Sequence, residues 1–184
     1  TSKVRNNEPA WCNTPGNKFA EYYPLTRASR QASVYDPKNG EFELIDTCFS
    51  THHLQFAANA DNTLYFNELL GPMFGWIDTR TFDLTHDEQA SQGWCPQIID
   101  TNGDGVITKP WNAANAENPD SSMDTEVRFS MYTVIPDPNN GDIVWGASES
   151  YPGYIVRLNR GNNPPETCIS EVYKVPDPGF DPRG

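Results

Sequence analysis

The 184-residue chain is long enough to bury a substantial core, as one large domain or two small ones. A formal net charge of −12 argues against nucleic acid and anionic membrane surfaces as partners, because a carboxylate-rich surface repels both. Aromatic residues at 12% argue against disorder, while 16 prolines and 13 glycines disfavour long helices and suit short strands joined by turns.

In chain order, residues 1–31 read as polar and irregular, with Asn6-Asn7, Pro9 and Pro15-Gly16. Within 32–48, two alternating runs flank Asp36-Pro37-Lys38-Asn39-Gly40, a hairpin signal that reads as the outer half of a partial unit. A first full unit spans 52–107, with strands expected at 52–58, 63–67, 76–82 and 95–99. Asp61-Asn62 and Gly71-Pro72 punctuate it, and the charged stretch 83–92 precedes its last strand. Residues 100–125, rich in Asn, Asp and Pro, read as an acidic insertion loop. A second full unit spans 127–175, with strands expected at 129–135, 142–146, 154–159 and 169–175. The Pro/Gly-rich tail 176–184 reads as a linker. No apolar stretch approaches the roughly 20 residues that span a bilayer.

The two full units match one another. Leu54-Gln55-Phe56, Leu64-Tyr65-Phe66 and Gly75-Trp76-Ile77 return in the same order as Tyr132-Thr133-Val134, Ile143-Val144-Trp145 and Gly153-Tyr154-Ile155. The offsets 132−54, 143−64 and 153−75 are 78, 79 and 78 residues. Strand triplets repeating at one offset predict an all-β chain of four-stranded antiparallel β-propeller blades, with the 100–125 insertion lengthening the usual period of about 40–50 residues. The count is about two and a half blades, and rings take roughly four to eight. Remaining blades are therefore expected from the same parent chain or from other subunits. A β-sandwich is the alternative fold.

The run Leu64-Tyr65-Phe66-Asn67-Glu68, followed by Gly75-Trp76-Ile77-Asp78, resembles the blade signature of streptogramin-lyase-like (virginiamycin B lyase-like) propellers. Ile143-Val144-Trp145 with Gly153-Tyr154-Ile155 resembles it again, with Ser148-Glu149 in place of an immediate Glu. From Tyr35-Asp36-Pro37 onward the chain also resembles large secreted bacterial proteins labelled carboxypeptidase-regulatory-like, a label that implies no peptidase activity. The lyase resemblance implies a metal with a His/Glu set near a propeller channel. Its short motifs speak to fold more than to activity.

Four cysteines, Cys12, Cys48, Cys95 and Cys168, contain no Cys-x-x-Cys pair, which argues against zinc and haem attachment. Two disulfides and an extracellular or periplasmic location are expected, with four buried thiols as the alternative. Chain order alone suggests Cys12–Cys48 with Cys95–Cys168. A chain that starts at Thr1 also fits removal of a leader.

Three candidate sites stand out. Asp100, Asn102, Asp104, the Val106 carbonyl and Thr108 follow the front half of an EF-hand-type calcium loop, with Gly105 at the bend. Trp111 stands where that loop supplies a bidentate carboxylate, so Glu117, Asp120 or Asp124 is needed to replace it; a plain turn is the alternative. His52 and His53, at the start of an inner strand, are candidate metal ligands or bases, although strand alternation points only one to the channel. Glu68 is a candidate acid/base, or a structural acceptor for nearby backbone.

Trp76, Trp94, Trp111, Trp145, Tyr132 and Tyr154 could stack a ligand, but suit packing between units. The function expected is a secreted or periplasmic binding or scaffold module, stabilised by calcium, whose ligand the sequence does not identify. The alternative is a metal-dependent lyase or hydrolase using His52, His53 and Glu68, which requires a second divalent metal.

Overall fold

A computed structural model describes residues 2–4, 8–26, 28, 30–68 and 71–183, with backbone alone for 2–4 and 30. The described residues are mostly β. Strands β1 (Ser2–Val4), β2 (Arg30–Asp36) and β3 (Glu41–Ile45) form an N-terminal antiparallel sheet. Strands β4 (Thr51–Phe56), β5 (Thr63–Glu68), β6 (Met73–Asp78) and β7 (Gln92–Pro96) form a central antiparallel meander. The C-terminal sheet contains β8 (Ile98–Ile99), β9 (Thr125–Glu126), β10 (Ile135–Pro136), β11 (Ile143–Ala147), β12 (Tyr154–Asn159) and β13 (Ile169–Lys174). Its order is β10-β11-β12-β13-β8-β9, so a second antiparallel meander is extended by β8, which pairs parallel to β13.

Turn chemistry fixes the hairpins. In the β2–β3 turn, Asp36 Oδ1 accepts the Lys38 N–H at 2.8 Å and Asn39 Oδ1 accepts the Glu41 N–H at 2.9 Å. Gly40 supplies the positive φ of 77° that closes it. The loop before β11 repeats this chemistry: Asp137 Oδ1 accepts the Asn139 N–H and Asn140 Oδ1 accepts the Asp142 N–H.

Period-two alternation sends side chains from the central sheet into two cores. Tyr65, Phe74, Trp76 and Cys95 pack with Val144, Val156 and Leu158 of the C-terminal sheet. Leu64, Phe66, Met73, Ile77 and Trp94 pack with Ala32, Ile45 and Phe49 on the opposite side. Every residue of β5 is accordingly buried.

The disulfides are Cys12–Cys48 and Cys95–Cys168, with Cα–Cα distances of 5.5 and 6.0 Å. No helix among the described residues is long and apolar enough to cross a membrane.

Four segments differ from the sequence reading. Residues 1–31 contain β1, a 3-10 turn (Ala10–Asn13) and α1 (Lys18–Tyr22), whose start is capped by Asn17. The strand expected over 76–82 ends at Asp78, whose carboxylate accepts the Thr81 N–H and starts helix α2 (Thr79–Thr85). The strand expected over 95–99 breaks at Gln97, which donates to the Pro72 carbonyl and accepts from the Val127 N–H. There the chain passes from the central to the C-terminal sheet. The strand expected over 129–135 is reduced to β10 and one bridge, Met131 to Ser148.

Candidate functional site

A cleft of about 410 Å³ opens where the central sheet meets the C-terminal sheet. His52, Asn67 and Glu68 line one wall, and Phe129 to Tyr132 with Glu149 and Ser150 line the other.

Asn67 builds the junction. It shares the face of β5 that carries Tyr65, so its side chain lies between the sheets at 1% exposure. Its Nδ2 donates to the carbonyls of Met131 at 2.7 Å and Tyr132 at 2.8 Å, while Oδ1 accepts the His53 N–H at 2.6 Å. One amide thus satisfies three backbone groups from both walls. Sequence reasoning missed Asn67, and its legible signal was a polar residue at an inward position of an otherwise apolar strand.

Strand alternation does not separate His52 from His53 as expected. The β4–β5 register shifts between Thr51 and Leu54, so both histidines sit in a bulge-like irregularity. Their ring centroids are 4.3 Å apart, and they lie 5.4 and 4.8 Å from the Tyr132 ring. His52 is half-buried and lines the cleft, with Nδ1 3.4 Å from Asn67 Nδ2; His53 is exposed.

Glu68 is 3% exposed, and its Oε2 accepts the Ser50 N–H at 2.6 Å. It also lines a second cleft with Tyr23, Leu25 and Met73. Burial there pushes the Tyr23 phenol above its usual range, and the charges of Glu126 and Glu68 add to the effect.

The structure therefore brings His52 and Glu68 to one cleft and sets His53 against Tyr132 beside it. Trp76 and Trp94 are core residues, whereas Trp145 lies near Tyr173 and Arg157 in the C-terminal sheet. Tyr154 stacks on Phe129 with centroids 4.6 Å apart.

Asp100, Asn102, Asp104, Val106 and Thr108 do not line the cleft. They form a separate loop in which Asp100 Oδ1 accepts the N–H groups of Gly103 and Asp104, and Oδ2 accepts that of Gly105. Asn102 Oδ1 accepts the Asp104 N–H, and Asp104 Oδ1 accepts that of Val106. Gly103 and Gly105 take φ of 78° and 85°. Trp111 is half-buried against the core between the central and C-terminal sheets. Among the described residues, no group of three His, Cys, Asp or Glu side chains stands ready to hold a metal ion.

No protein-family model, curated protein or solved structure matches the chain, so the streptogramin-lyase-like resemblance rests on its short motifs.

Proposed function

We propose that this chain is a secreted or periplasmic binding module built from β-propeller blades, with its ligand held in the cleft between the central and C-terminal sheets. The blade reading is supported by two four-strand meanders, β4 to β7 and β10 to β13, packed face to face. Two disulfides suit an oxidising compartment. In this reading further blades, from the parent chain or other subunits, complete the ring.

The observation that carries the binding function is the composition of the cleft. Rings at His52, Phe129 and Tyr132 offer flat apolar faces, while Glu149 and Ser150 offer acceptors. That combination suits a small, hydroxyl-rich or amine-bearing ligand. Asn67 and Glu68 hold backbone, which makes them part of the wall.

Saturation-transfer NMR with neutral mono- and disaccharides and simple primary amines tests this reading. At least one probe is expected to bind, and Tyr132→Ala to weaken it about tenfold, as loss of one aromatic contact implies. No binding, or binding indifferent to both Tyr132→Ala and His52→Ala, overturns it.

A second reading, a metal-dependent lyase or hydrolase, is favoured by His52 and Glu68 lining the same cleft. It requires a divalent metal there. Titrating the chain with zinc must move the His52 imidazole resonances, and their constancy sinks the enzymatic reading.

A further inference from the structure

We propose that Asp124 completes a calcium site whose other oxygens come from the 100–108 loop, taking the place that Trp111 leaves without a carboxylate. Sheet register brings it near the start of the loop. Ile98 pairs with Glu126 and Ile99 with Thr125, so Asp100 and Asp124 are the residues just beyond the last pair of this antiparallel ladder. On the other side, Asn112 bridges to Thr125, and its N–H donates to the Asp124 carbonyl at 2.7 Å. Asp124 is therefore held by the segment just after Trp111, one residue beyond the β8–β9 ladder that leads into the loop.

The second observation is the state of the carboxylate. Asp124 is 0% exposed. Its Oδ2 accepts the Thr108 N–H at 2.8 Å, which turns the group toward the loop. Its Oδ1 is buried without a hydrogen-bond partner among the described residues. A buried carboxylate oxygen without a donor is costly, and a cation at the loop is the simplest partner for it. Glu117 and Asp120 are exposed, and the Asp120 carboxylate is already engaged by the Ser122 hydroxyl and N–H.

The loop itself is preshaped. N–H groups hold the carboxylates of Asp100 and Asp104, yet a carboxylate has about four lone-pair sites, so each retains acceptor capacity. Asp100, Asn102, Asp104, the Val106 carbonyl, Thr108 and Asp124 offer about six oxygens, within the range calcium takes. The three carboxylates among them, Asp100, Asp104 and Asp124, do not stand together as a ready metal cluster. The site needs a cation to draw the mixed donors inward.

The test uses the full chain, stripped with EDTA and titrated with calcium, read by thermal unfolding and by terbium luminescence sensitised through tryptophan. Wild type is expected to gain about 5 °C or more at hundredfold excess over Kd. Asp124→Asn keeps an acceptor for Thr108 and is expected to weaken calcium about tenfold or more. Asp104→Asn removes a carboxylate from the exposed loop and is expected to weaken calcium binding. The proposal falls if wild type shows neither a Tm shift nor terbium signal at about 10 mM ion, above the range of extracellular calcium modules. It falls equally if Asp124→Asn binds calcium as tightly as wild type. Should Asp124→Asn fail to fold, undiminished binding by Asp104→Asn overturns the loop as the site.

Discussion

Tyr65 shows how one side chain ties the central sheet to the C-terminal sheet. It is 0% exposed, and its hydroxyl donates to the Gly141 carbonyl at 2.9 Å, joining β5 to the loop before β11. The Arg160 guanidinium lies 5.8 Å from the Tyr65 ring and 5.1 Å from that of Trp76, and pairs with Asp142. Burial pushes the phenol up to about 12, with Asp142 adding to the rise and Arg160 opposing it. An unfolded tyrosine ionises near 10. The folded state therefore holds the proton where the unfolded state releases it, and stability falls as pH rises from about 10 to 12. Tyr65→Phe is expected to cost about 1 kcal/mol at neutral pH through the orphaned carbonyl, and to flatten that alkaline decline. Urea unfolding at pH 7 and above pH 10 measures both; an unchanged alkaline slope removes Tyr65 from the account.

At the scale of elements, β6 depends on the absence of a side chain. A Cβ at Gly75 would lie 2.5–2.6 Å from atoms of the Phe49 ring, in the core toward the N-terminal sheet. Gly75→Ala should cost about 1–3 kcal/mol by overpacking, and Phe49→Leu in the same chain should recover part of it. Additive losses in urea unfolding would show that the two do not compete for space. Although β6 begins at Met73 and β7 at Gln92, both earlier than expected, the triplet Gly75-Trp76-Ile77 was legible as strand because it is a compact apolar run after a turn signal. Helix α2 was not, because Thr79 to Phe82 carries β-branched residues and its only helical signal is the Asp78 cap. The passage of the chain at Gln97 from one sheet to the next was also hidden, since long-range pairing leaves no local pattern. At the cleft, His52 and Glu68 were legible as residue types, but the register shift that turns both histidines toward Tyr132 depends on pairing with β5.

On the scale of the whole molecule, three sheets lie in layers, and each disulfide works at a different junction. Cys12–Cys48 fastens the N-terminal segment to the link between β3 and β4, beside the core under the N-terminal sheet. Cys95–Cys168 joins β7 to the residue before β13, so it holds the central sheet to the C-terminal sheet across the other core. The sequence separations are 36 and 73 residues. In the chain-entropy account, loops of these lengths constrain the unfolded state by about 4 kcal/mol each, and a doubling of length adds about 0.6 kcal/mol. Both pairs are buried, so alanine replacements avoid leaving a new buried hydroxyl. Cys95→Ala/Cys168→Ala is thus expected to lose more stability than Cys12→Ala/Cys48→Ala, each by about 2–5 kcal/mol in urea unfolding. It should also weaken hydrogen-exchange protection at β11 and β12 relative to β5 and β6, because the junction then rests on packing and on the hydrogen bonds of Asn67 and Tyr65. Equal protection of both sheets in that variant would mean that the interface core, rather than the covalent link, sets how the two meanders stay together.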